Sequence, residues 1–216
     1  MKHNLSFRLH ILALAFCCGF SIMTVELLGG KIMAPYFGGS IYVWGSIITV
    51  FMLALSIGYL LGGRWSINQP NTRKYGSLFI FSALLLLPMI FFGDAIMNVI
   101  FAHVEDPRFG SLLGASGLFL LPTIAMGMIA PYSVRLLVLS TEHSGQTAGF
   151  LYFVSTIGSA LGTIMTSFYL VLFFEINTIL WVVFFTFLIC GGSIAFRSES
   201  TDALEITDSN ASHATS

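Results

Sequence analysis

The chain has 216 residues, 56% of them hydrophobic and only 9% charged, with 9 Lys+Arg against 10 Asp+Glu and a net charge of -1. A soluble domain carries about 25% charged residues. This composition, with a mean hydropathy of +0.89, excludes a cytosolic enzyme, a disordered chain and a basic nucleic-acid binder; the solvent it needs is a lipid bilayer.

Stretches free of charge, or with Glu26 alone in the first, predict six spans, over 9–28, 41–63, 75–93, 110–130, 148–173 and 176–196, each close to the ~20 residues a bilayer core takes as helix. Backbone groups cannot stay unpaired in lipid, so the fold is expected to be an all-α polytopic membrane protein. Runs such as Ala83–Phe92 and Leu180–Ile189 lack the alternation of barrel strands. Lys2, Arg8 and Ala13-Leu14-Ala15 imitate a signal peptide. Cleavage there would leave too short an apolar core, so the first span is expected to stay.

Glu26 stands inside the first span, before Gly29-Gly30 and Lys31. The glycine pair is expected to break the helix and free carbonyls. A charge in a span is a functional hypothesis by default. Its rivals are pairing with Lys31 or snorkelling, because about 18 residues from the cytoplasmic start brings Glu26 near the outer interface. Spans 2, 4 and 5 carry Gly58-x-x-x-Gly62, Gly110-x-x-x-Gly114 and Gly158-x-x-x-Gly162, a spacing that lets helices approach closely, within one chain or between copies. Pro88 and Pro122 are candidate kinks, and Glu175 reads as a loop acid between the last two spans. Beyond Phe196 the chain turns to Ser, Thr and acids. Residues 197–216 are expected to be a disordered cytoplasmic tail behind a membrane domain over 1–196.

Cationic residues set the orientation. Lys2, Arg8, Arg64, Arg73, Lys74, Arg135 and Arg197 fall on one side against Lys31 and Arg108 on the other, which predicts both termini in the cytoplasm of a bacterial inner membrane. Tyr42 and Trp44 would then sit at the outer interface, and Trp65 and Tyr75 at the inner one. Ala34-Pro35-Tyr36 recurs as Ala130-Pro131-Tyr132, and Ser56-Ile57-Gly58 with Leu61-Gly62 recurs as Thr156-Ile157-Gly158 with Leu161-Gly162. These echoes, offset by 96 and by 100 residues, suggest two three-span units. An odd number of spans inverts the second unit, giving a 3+3 inverted repeat of the kind transporters use; chance similarity among small residues is the rival.

Cys17, Cys18 and Cys190 lie in apolar runs, and the five histidines are scattered, so neither metal nor cofactor is expected. Enzyme signatures are missing as well, with no nucleophile elbow, P-loop or HExxH motif, and the chain is expected to be non-catalytic.

Between Glu26 and Gly63 the sequence reads ELLGGKIMAPYFGGSIYVWGSIITVFMLALSIGYLLGG. With Gly145-x-x-x-Gly149-Phe150-Leu151-Tyr152 and Ile157–Gly162, it resembles the membrane domain of the membrane-bound spermidine synthase-like, or fused major-facilitator/spermidine synthase, proteins. Lys31 departs from the family's usual Arg, which keeps the charge and loses the fork. Arg64–Asn68 offers no acid where the family often has one after the double glycine. Many relatives continue into a soluble aminopropyltransferase-like domain with a methyltransferase-type fold, and this chain ends in a polar tail instead. The resemblance therefore implies a membrane partner or anchor of a separately encoded polyamine synthase-like enzyme; the alternative is a secondary transporter of polyamines or another cationic solute. The candidate solute-binding residues are Glu26, Lys31, Tyr36 and Trp44. Gly29, Gly30, Pro35, Gly58, Gly62, Pro131, Gly158 and Gly162 are expected to be structural.

Overall fold

The computed structural model describes residues 5–67, 70–138 and 144–214, with side chains up to residue 195. Six helices are long and apolar enough to cross a membrane. They are α1 (Leu5–Phe37), α2 (Ile41–Trp65), α3 (Thr72–His103), α4 (Pro107–Leu137), α5 (Ser144–Phe173) and α6 (Ile176–Ala214). α5 contains one π-helical stretch, Thr166–Leu170. No strand occurs among the described residues.

Local chemistry fixes the ends. Asn71 opens α3 by accepting from the Arg73 amide at 2.9 Å, and Asp106 opens α4 by accepting from the Arg108 amide at 2.9 Å, ahead of Pro107. Each side chain satisfies an amide that has no partner within the helix. The chain reverses between α1 and α2 at Gly38, whose φ of 73° favours a residue without Cβ.

The structure departs from several expectations. Gly29-Gly30 does not break α1, which runs unbroken to Phe37 with Pro35 inside it. The two glycines make room instead: a Cβ on Gly29 would press on the Phe119 ring at 3.1 Å, and one on Gly30 on the Trp44 indole at 2.7 Å. The loop expected from Asp94 to Arg108 shrinks, because α3 stays helical to His103. Its last turns are held by packing, with Phe101 edge-on to Tyr36 and Phe37 and the Met97 sulfur facing Gly114 at 3.0 Å from a Cβ built there. Tyr75 is no interface aromatic. It is fully buried, with its hydroxyl 2.7 Å from Ser133 Oγ and its ring stacked on Tyr132. α6 also continues as helical backbone to Ala214, where the sequence suggested disorder from 197; that stretch contains neither Gly nor Pro to stop a helix.

The helices assemble through two parallel pairs. α2 lies along α4, where Cβ atoms on Gly58 and Gly62 would collide with the Ile124 and Met128 carbonyl oxygens. α5 lies along α1, where Cβ atoms on Gly158 and Gly162 would collide with the Phe16 and Phe20 carbonyl oxygens. The reverse faces match too: Gly19 of α1 meets Ser155 of α5, and Gly127 of α4 meets Leu55 of α2. Shifting α2 by 100 residues and α1 by 108 turns one pair into the other. Cys18 and Met126 are counterparts under that shift and touch each other, the thiol donating to the Met126 carbonyl at 3.6 Å, as residues on a two-fold axis must. The packing is that of two inverted units meeting at α1 and α4. It corrects the register of the repeat: the 100-residue echo in α2 and α5 is structural, whereas Ala34-Pro35-Tyr36 and Ala130-Pro131-Tyr132 are offset by 96 and are not counterparts. Close backbone approach sets register, and a short motif of small residues does not. α3 and α6 run antiparallel, Phe79 meeting Phe187 and Phe91 meeting Trp181.

Candidate functional site

Where the two pairs meet, the structure leaves a recess of about 90 Å³. α1 contributes Gly19, Ile22 and Met23, α4 contributes Gly127, α2 contributes Tyr59, and α5 contributes Ser155 and Ser159. Gly19 and Gly127 let α5 and α2 close against α1 and α4, Gly19 meeting Ser155 and Gly127 meeting Leu55, and all four helices line the recess. Gly19, Leu55 and Ser155 fall near the middle of α1, α2 and α5, so the recess lies near the middle of those helices.

Its polar groups are arranged with a bias. Ser159 Oγ lies 3.2 Å from the Gly19 carbonyl oxygen and 3.2 Å from that of Ser155. Its single proton is committed to those acceptors, and the oxygen keeps its lone pairs. Pro131 carries no N–H, so the Gly127 carbonyl has no amide at the usual i+4 position. No Lys or Arg lines the recess.

Glu26 stands one turn along α1 from Ile22 and Met23, on the same helical face. It is half-buried. α1 is continuous with its midpoint at residue 21, so five residues at ~1.5 Å each put Glu26 about 7 Å from that midpoint. One further turn on is Gly30, covered by Trp44.

The other candidates do not converge on this line. Lys31 is exposed. Five residues on an unbroken helix set it about 140° around the axis from Glu26, and no ion pair joins the two among the described residues. Tyr36 turns to α3, where its hydroxyl reaches the Asp94 carbonyl at 3.4 Å. Pro35 is exposed near the end of α1. Gly58, Gly62, Gly158 and Gly162 hold the helix pairs, and Pro131 acts at the recess through Gly127. Sequence reasoning missed Gly19, Tyr59, Gly127, Ser155 and Ser159. The available signal was that Ser155 and Ser159 share the helical face of Gly158 and Gly162, with hydroxyls placed at a close helix contact. No family model, curated protein or solved structure matches the chain.

Proposed function

We propose that the protein is a membrane carrier for a small cationic solute, with both termini cytoplasmic in a bacterial inner membrane. The observation that carries this reading is the equivalence of the α1·α5 and α2·α4 pairs around a recess near the middle of the helices. Carriers built from inverted repeats hold their solute where the repeats meet and expose it alternately by rocking one unit against the other. The sign of the solute follows from Glu26, the acid nearest that recess. The test is flux into proteoliposomes containing the purified full chain, using ammonium, methylammonium, putrescine and spermidine. Saturable uptake of at least one is expected; uptake of all four at the rate of empty liposomes would falsify the reading.

The resemblance to spermidine synthase-like membrane domains favours a second reading, an anchor for a separately encoded aminopropyltransferase-like enzyme. Affinity purification in mild detergent decides it. Recovery of no soluble synthase-like protein removes the anchor role.

A further inference from the structure

We infer that the recess between α1, α2, α4 and α5 is a binding site for an ammonium group, a reading that deepens the carrier function and rests on it. Three observations point the same way. The volume, about 90 Å³, is room for an ammonium ion or a methylammonium head, since a cavity needs only ~10–15 Å³ to hold one water. The walls offer acceptors: the Ser159 oxygen, whose proton is given to the Gly19 and Ser155 carbonyls, the Tyr59 hydroxyl, and Gly127, whose carbonyl is deprived of its helical amide by Pro131. A donor-rich cation satisfies these acceptors. Glu26, one turn along the same face of α1, supplies the negative charge that a cation leaving bulk water requires. A longer amine would seat one head in the recess and run its chain along α1 towards Glu26.

The geometry also gives a role to the proline inside α4 near its C-terminal end. Pro131 costs α4 a hydrogen bond and supplies an acceptor to the recess in exchange. Pro131→Ala restores the amide, lets it take the Gly127 carbonyl, and improves helix propensity, so the variant should fold. Ser159→Ala removes another of the acceptors.

The experiment measures methylammonium binding to the full-length protein in detergent by the ligand-dependent rise in melting temperature, with sodium chloride as the ionic-strength control. Wild type is expected to show a saturable rise. Each variant is expected to bind roughly tenfold more weakly, the loss of one hydrogen bond to a charged group. Absence of a methylammonium-dependent rise in wild type, or equal affinity in wild type and both variants, would overturn the site. Flux of another cation in the liposome assay would then leave the carrier reading standing without this site, so the two can fail separately. Putrescine that competes with methylammonium identifies the head of a longer amine as the bound group; methylammonium binding that putrescine leaves unchanged identifies a compact cation. Both results uphold an ammonium site.

Discussion

The α1·α5 and α2·α4 pairs use the same glycine spacing and present different chemistry. In each, two glycines four residues apart let one backbone lie against the carbonyls of a parallel neighbour. Yet where α2 places Leu55 and Tyr59 at the recess, α5 places Ser155 and Ser159 at the positions 100 residues later. Further along, α5 adds Thr166, which donates to Thr24 of α1 at 3.0 Å and opens the π-helical stretch, whereas α2 has its Arg64-Trp65 end. α5 is also the least buried of the six spans. Close packing can be copied between the halves because it needs only the absence of side chains. The side chains beside those glycines carry no such constraint and differ between the halves.

The largest effect should come from the shared feature. Gly58→Leu and Gly158→Leu each force a side chain against a backbone oxygen that cannot move without its helix, and both should lose about 1–3 kcal/mol or more. The readout is thermal unfolding in detergent. A large loss at one and none at the other would break the equivalence of the pairs. Gly45→Ala and Gly145→Ala are the controls. A Cβ at either meets nothing within 4 Å, and both should hold or gain by about 0.5–1 kcal/mol through reduced backbone entropy.

A smaller effect should mark the divergence. Thr166→Val keeps the shape and deletes the hydroxyl that links α5 to α1. Interhelical hydrogen bonds in membranes average ~0.6 kcal/mol, so a loss near that value is expected. Serine at position 66, at the other end of α2, spends its hydroxyl on the Gly63 carbonyl within its own helix at 2.7 Å, and Ser66→Ala should leave the α2·α4 pair in place. Cross-linking of cysteines placed along each pair would report this. Weakening of α2·α4 in Ser66→Ala would remove the contrast.

How much of this was legible depends on what a single residue reveals. Six spans follow from the spacing of charges, and the small faces of α2 and α5 follow from Gly58, Gly62, Gly158 and Gly162. A glycine announces missing volume and does not name what fills it. Gly29 and Gly30 look like a hinge in the sequence, and they accommodate Phe119 and Trp44 in the fold. The partners of the α2 and α5 glycines, Ile124–Met128 and Phe16–Phe20, are β-branched, aromatic and sulfur-bearing residues that contribute their backbone, which side-chain identity cannot signal. For the same reason the recess was invisible: it is bounded by the spacing of helices, and its wall includes Gly127, whose carbonyl loses its helical amide to a proline four residues away.

The smallest stability change and the sharpest functional one are expected at the same position. Glu26 has Val134 as its counterpart in α4 under the 108-residue shift, so the charge is confined to one half. Were it a brace, a partner would have to stand near it, because an unpaired carboxylate in hydrocarbon stabilises nothing. Lys31 is not that partner; the unbroken helix carries it to another face and into exposure. Lys31→Met should therefore change the melting temperature by no more than an exposed charge does, within about 0.5 kcal/mol. Glu26→Gln keeps the size, removes the charge and breaks no ion pair, so it should be neutral or slightly stabilising while abolishing saturable cation flux. The pair of outcomes separates the two roles, since a brace fails in both variants and a cation ligand fails in one assay only. Equal loss of stability in Glu26→Gln and Lys31→Met, with flux retained, would make the charge in α1 a structural device and return the two halves to chemical equivalence.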